Sequence, residues 1–418
     1  MRTVAWVIAL LWGIGQNLPF DRFYGPGRTS PGDFLFLALL LVVTSDPATR
    51  RALLAEADRL RPLLTLIATF VTLTALSCLA NAFRWDMFAN DFIETVRPFY
   101  YFSIVVFISV CTRRDGLSLL LPFLVGIAIS GYVAYLNPGN DDVFGFPVLW
   151  NPNVIGNMLA MGVLWSSLMV FEGRFAIASV FLLIFSVLSI FTYSKGTWLM
   201  ILLSAVAIGI AVYGGSGARG RHVGKFIFLG VFTVLVGLGT YYYEPLSALI
   251  EFKIFTTQLG DTAAEGGTAA ARWGFVVASL SMAADNPIFG VGISNYEAVY
   301  RTMERALGNA FWATDNPHSA WLYILACSGI PALIVFGLII VQVLRMLAAR
   351  VPLAAPLRHI YVGIFALVFL ISGSVMLEIL TQYFFWFFAG IVCGWRAPGT
   401  RRQDHQGRVP LASPSMAS

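Results

Sequence analysis

Charge is what this sequence has least of. Only 12% of its 418 residues are Asp, Glu, Lys or Arg, against 58% that are hydrophobic. With a mean hydropathy of +0.77, a soluble globular domain of this size is excluded. Cysteine is scarce too. Cys78, Cys111, Cys327 and Cys393 are scattered through apolar runs with no C-x-x-C pair, which argues against a disulfide framework or a zinc site and for small buried hydrophobes. There is no H-E-x-x-H, no Walker lysine motif and no EF-hand loop. "FGVGISN" holds a G-x-G without the helix-opening glycine of a dinucleotide site.

What the chain has in abundance is long apolar runs. Twelve approach or reach the roughly 18–20 residues that cross a bilayer: 4–19, 33–46, 63–82, 97–112, 116–136, 148–171, 174–192, 197–213, 225–242, 320–345, 357–376 and 380–395. Helices satisfy their own backbone in lipid, so the expected fold is an all-α polytopic membrane protein. The first run lacks a small-residue cleavage site and reads as a retained span.

Charge orients these spans. With the N-terminus inside and the spans alternating, 18 of the 27 basic residues and only six of the 22 acids fall on the inner side. Both ends are then cytoplasmic, and the formal charge of +5 is a topology signal rather than a nucleic-acid signal. The expected organisation is spans one to nine over 1–242, an outer segment over 243–319, spans ten to twelve over 320–395, and a polar, basic, disordered cytoplasmic tail over 396–418. The outer segment is the one long loop, and long loops in compact proteins are commonly functional. It carries helical patterns at 246–258, 269–284 and 295–307. Thr268 is a candidate N-cap, and "DNP" at 285–287 a stop for the second pattern. Its Gly-rich "GDTAAEGGT" reads as a flap.

Few side chains on the outer face can carry chemistry. His222, His359 and His405 fall inside among arginines, as solvated or headgroup-facing positions; His318 alone falls outside. It reads as an interfacial residue capped by Asp315 or Asn316, a lipid-phosphate contact, or a base for a sugar hydroxyl. Lys195, in the outer turn "TYSKGTW", is either a snorkelling lysine or a cation held at fixed depth. Arg272, in "AAARWGF", opens a loop helix, where free N–H groups favour anions; the two together suit a diphosphate. Arg97 follows Glu94, so an ion pair stands beside a binding role. Asn151 and Asn153 in "WNPNVIG" fit helix caps or sugar contacts equally. Glu378, an acid in an apolar context, is a functional candidate by position.

These pieces, in this order, resemble the bacterial O-antigen ligase and polymerase superfamily over most of the chain. His318, Ser319, nine residues and then Gly329 match its motif, "DNPIFGVGISNY" is similar to its preceding stretch, and "SKG" stands where the family has Ser-Arg-Gly. Ala332 departs from the Gly, Thr or Tyr preferred there, and Lys195 keeps the charge of the usual arginine without its bidentate fork. The resemblance implies about 12 transmembrane helices with a helical periplasmic loop domain between helices 9 and 10, in the bacterial inner membrane. It implies transfer of a glycan from undecaprenyl diphosphate to a sugar hydroxyl of lipid A–core, with inversion and with neither metal nor other cofactor. His318 would be the base, with Arg272 and Lys195 on the diphosphate; Arg97, Asn153, Ser319 and Glu378 would be substrate contacts. A polymerase, whose acceptor is another lipid-linked glycan, is the near alternative, and the single dominant outer loop favours the ligase. A transporter is the remote one, because the candidate charges sit at span ends rather than mid-span.

Overall fold

The computed structural model describes residues 2–14, 31–81, 88–136, 138–143, 146–149, 152–192, 194–214, 268–293, 295–307, 317–375 and 383–396. In chain order the helices are α1 (Arg2–Ile14), α2 (Pro31–Ser45), α3 (Pro47–Arg59), α4 (Arg61–Asn81), α5 (Phe88–Asp115) and α6 (Leu120–Leu136). They continue with α7 (Pro152–Phe171), α8 (Phe175–Ile190), α9 (Lys195–Gly214), α10 (Thr268–Asp285), α11 (Tyr296–Leu307), α12 (Ala320–Arg350), α13 (Ala355–Val375) and α14 (Tyr383–Gly394). Among the described residues, six stretches are long and apolar enough to cross a membrane. The expected span at 225–242 and the expected helix at 246–258 lie outside the described residues.

The expectation of an all-α chain needs one amendment. An antiparallel hairpin joins α6 to α7, with β1 (Pro138–Val143) paired to β2 (Phe146–Leu149). The span expected from 148 therefore begins only at Pro152. Proline disfavours helix in the residue before it but suits the first helical position itself. Two more boundaries differ. Helix α5 starts at Phe88 rather than 97, and the polar stretch 47–59 is a helix in its own right. Asp46 caps α3, its carboxylate accepting from Thr49 N–H at 2.9 Å.

Helix α7 is the axis of the bundle: 94% of its apolar window is buried, against 33% for α13. Beside it, the short "YFFWFFAGIVCGW" stretch is buried from Phe384 to Trp395. Phe387 stacks on Phe123 with centroids 4.1 Å apart, Phe388 on Trp165 at 5.3 Å and Trp386 on Tyr101 at 5.3 Å. In lipid the helices gain little from leaving water, so close packing has to hold them. Gly390 and Gly394, four apart on α14, let α5 come close. A Cβ on Gly394 would stand 2.3 Å from the Ser109 carbonyl oxygen, and one on Gly390 2.7 Å from Ile108 Cβ.

At one end of the bundle α3 packs on α5 through a buried carboxylate. Glu56 is 4% exposed; Arg113 Nη1 donates to its Oε2 at 3.0 Å, Ser109 Oγ to its Oε1 at 2.6 Å, and Arg59 grips it with two nitrogens. Burial works against the charge. Hydrogen bonds from Arg59 and Ser109, and Arg59's charge, outweigh it and hold the carboxyl below its ordinary value.

Two outcomes follow from this packing. Gly394→Val should lower stability by about 1–3 kcal/mol through forced separation of α14 from α5, whereas Gly337→Ala, with open space at its Cβ, should not; thermal unfolding in detergent reads both. A depressed folded value means Glu56 adds stability above the unfolded carboxylate range, near pH ~4.3, and loses it as pH falls toward the folded value. Glu56→Gln should therefore be less stable than the parent at pH 7, with the gap closing in acid. A gap that is constant with pH would assign the loss to packing instead.

Candidate active site

Helix α12 is broken. Gly329 sits at φ 84° and ψ 176°, and Pro331, two residues on, has no N–H. The carbonyls of Ala326 and Cys327 lose their helical donors, and the Ile330 N–H loses its acceptor. All three find partners in the "NPIFGVG" segment between α10 and α11. Ile330 N–H donates to the Pro287 carbonyl at 2.9 Å, Val291 N–H to Ala326 at 2.9 Å and Gly292 N–H to Cys327 at 3.0 Å. Helix α4 braces the same place. Ser77 Oγ donates to the Cys327 carbonyl at 2.7 Å, and Asn81 Nδ2 to the Gly290 carbonyl at 3.3 Å.

Two glycines make this interlock possible. Gly290, at φ 62°, would carry a Cβ 2.4 Å from the Ala326 carbonyl oxygen, and a Cβ on Gly329 would lie 2.3 Å from that of Ile288. Both need a left-handed backbone and a close approach of chain to chain. The glycine eleven residues after His318 is thus the hinge of a break, and "DNPIFGVG" is the segment that fills it.

Traced back from the junction, α10 and the first half of α12 lie side by side and run in the same direction. Counting back twelve residues from Pro287 reaches Phe275, and eleven from Gly329 reaches His318. At 1.5 Å per residue both climb roughly 16–18 Å. The two do meet: their ring centroids are 6.0 Å apart at 64°, an edge-to-face contact. A small separate core of Phe275, Met282, Val291, Tyr296, Tyr300 and Cys327 holds α10, α11 and α12 together. Tyr296 stays a phenol there, because burial pushes it up against a partly offsetting 3.0 Å bond with Ser279.

His318 stands in a turn that displays it. Pro317 and Ser319 on either side are buried while His318 is exposed. Among the described residues it is the one non-glycine with positive φ, at 49°. Such a backbone costs on the order of 1–3 kcal/mol and collects at functional sites. Ser319 locks the turn: its hydroxyl accepts from Leu322 N–H at 3.4 Å and donates to the Gly373 carbonyl at 3.3 Å. Ser319, rather than Asp315 or Asn316, is therefore the N-cap of α12.

The segments that carry Asn153, Lys195, Arg97 and Arg272 lie at the same end of the bundle. Gly214, closing α9, packs on Leu353 and Leu357 just past the far end of α12, so Lys195, opening α9, lies toward His318's end. Ser194 caps that turn through Thr197 N–H at 3.4 Å, and the Trp198 indole donates to the Ser189 carbonyl at 3.0 Å. Gly156 of α7 faces the Thr197 side chain, which sets the first turns of α7 and α9 together. Asn153, exposed, is in one of these turns and Lys195 in the other. Arg97 lies inside α5, toward the end opposite Arg113. Arg272 is three positions before Phe275 in α10. The side chains of Arg97, Lys195 and Arg272, and all of Glu378, lie outside the described residues.

Sequence reasoning passed over Asn157 and Thr197. Their side-chain oxygens are buried with no hydrogen-bond partner among the described residues, a turn from Asn153 and beside Lys195. The N-x-x-x-N spacing of "NPNVIGN" was the available signal. It passed over Ser77 and Asn81 too, although two polar residues four apart near the end of an apolar run mark a face that meets something polar.

A bundle of apolar helices, with six stretches long and apolar enough to cross a membrane among the described residues, is that of a multi-pass membrane protein. Residues 178–337 match the family model described as O-Antigen ligase. The match takes in Lys195, Arg272, His318, Ser319 and the whole α10–α12 junction, and leaves out Arg97, Asn153 and Glu378. No curated protein matches the chain.

Gly290→Val should release the α10–α11 segment while sparing the main bundle, whose core is separate. New protease cleavage between 268 and 307, with little change in the main unfolding transition, is the expected result.

Proposed function

We propose that the chain is an O-antigen ligase that transfers a glycan from undecaprenyl diphosphate to a sugar hydroxyl of lipid A–core on the periplasmic face of the inner membrane. The domain limits and the cytoplasmic termini expected from charge belong to this reading. The observation that carries it is His318: an exposed imidazole held in a strained turn, walled on both sides by buried residues and inside the segment that matches the ligase family.

In the proposed reaction the bond between the sugar anomeric carbon and the diphosphate oxygen breaks as the acceptor oxygen bonds to the opposite face of that carbon. The acceptor proton passes to His318 and then to solvent. The departing diphosphate gathers negative charge, which Arg272 and Lys195 stabilise most in the transition state. Asn153, Arg97 and Glu378 remain candidates for holding substrate. Ser319 acts on His318 rather than on substrate, since its hydroxyl is engaged by Leu322 and Gly373. No step calls for a metal or a nucleotide.

Purified protein given undecaprenyl-diphosphate glycan and lipid A–core should glycosylate the lipid A–core. His318→Ala should slow this by about 10²–10⁴-fold, the usual weight of a general base, without loss of folding. Longer lipid-linked chains in a tube without lipid A–core would make the protein a polymerase. Full transfer by His318→Ala would remove the histidine from the chemistry.

A further inference from the structure

The end of the bundle away from His318 holds a cavity of about 710 Å³ between α1, α3 and α5. The 31 residues of α12 separate the two ends by roughly 45 Å, more than the hydrocarbon thickness of a bilayer. The cavity is therefore not part of the candidate active site. Its walls carry Arg2, Arg59, Arg113 and Arg114 against Glu56 and Asp115, an excess of two positive charges. The rest is largely the alanine side of α3, with Val110 and Cys111 of α5.

Glu56 meets both Arg59 and Arg113, so one carboxylate serves two guanidinium groups. A third, Arg350, lies behind them within reach of the charges of Arg59, Glu56 and Arg113, and its Nη1 is buried without a hydrogen-bond partner among the described residues. Positive charge in excess, partly shielded from water, favours an anion strongly. Arg2 also lies over the Trp6 ring at 5.2 Å, an arrangement suited to the headgroup level of a membrane. Guanidinium forks match phosphate oxygens, and basic pockets at the ends of spans suit phospholipid headgroups. The volume is far more than one phosphate needs and leaves room for a glycerol backbone.

We infer that this cavity binds the phosphodiester headgroup of an anionic phospholipid, with Arg2 and Arg114 contacting the phosphate and the Glu56 cluster forming the floor. The site ties α1 and α5 to the leaflet opposite the His318 end. It stands independently of the proposed ligase activity.

The test is native mass spectrometry of the full chain in detergent, titrated with phosphatidylglycerol or phosphatidylcholine. Retention of one phosphatidylglycerol per chain, at least tenfold tighter than phosphatidylcholine, is expected. The double variant Arg2→Gln/Arg114→Gln spares the Glu56 bonds and should bring the two lipids level. Arg50→Gln/Arg51→Gln, on the exposed side of α3, should leave the preference unchanged. Should the first pair fail to fold, Ala52→Trp fills the cavity without touching its charge and should abolish the preference equally. Equal binding of both lipids by the parent, or equal loss from both double variants, would overturn the site. Displacement of the lipid by millimolar inorganic phosphate would assign the cavity to a soluble anion instead.

Discussion

Inside a membrane protein every backbone donor and acceptor has to find a partner within the protein. At Gly329–Pro331 the helix α12 stops supplying them, and an amide and two carbonyls are left over. The structure returns all three to a single segment, Pro287–Gly292, through main-chain bonds of 2.9–3.0 Å. Once that segment is fixed, α10, traced back from it, has only one way to lie, along the first half of α12 toward its start. The contact between Phe275 and His318 is the far end of that constraint.

The same logic explains why the histidine is presented rather than buried. A turn with positive φ at a non-glycine residue needs its neighbours to hold it. Pro317 is buried, Ser319 is bonded in both directions, and Trp321 Nε1 donates to the Leu370 carbonyl at 3.2 Å, tying the first turn of α12 to α13. The α10–α11 core is small and separate from the main one.

Much of this was legible in the sequence because it depends on local pattern. Apolar runs marked the helices, "DNP" marked the end of α10 at Asp285, and the cysteines were read as buried, as all four are. What was not legible depends on distant partners. The hairpin at 138–149 is written in Gly, Pro, Asn and Asp, which signal a turn but not a pairing. Ser319 was named from its motif; its bond to the Gly373 carbonyl, 54 positions away, was not legible. Gly329 looked like a motif letter because the carbonyl that forbids its Cβ belongs to Ile288. Arginines were read from the sequence as a topology signal; the fold adds that Arg59 and Arg113 pair with one buried carboxylate and that Arg350 lies within reach of their charges.

The central claim is that the broken helix and the loop segment are one hydrogen-bonded unit. Amide hydrogen exchange tests it directly, since Val291, Gly292 and Ile330 take their acceptors from outside any continuous helix. Their amides should exchange as slowly as those in the buried interior of α7. Exchange within seconds at these positions, with α7 still protected, would contradict the junction and with it the placement of α10 over His318.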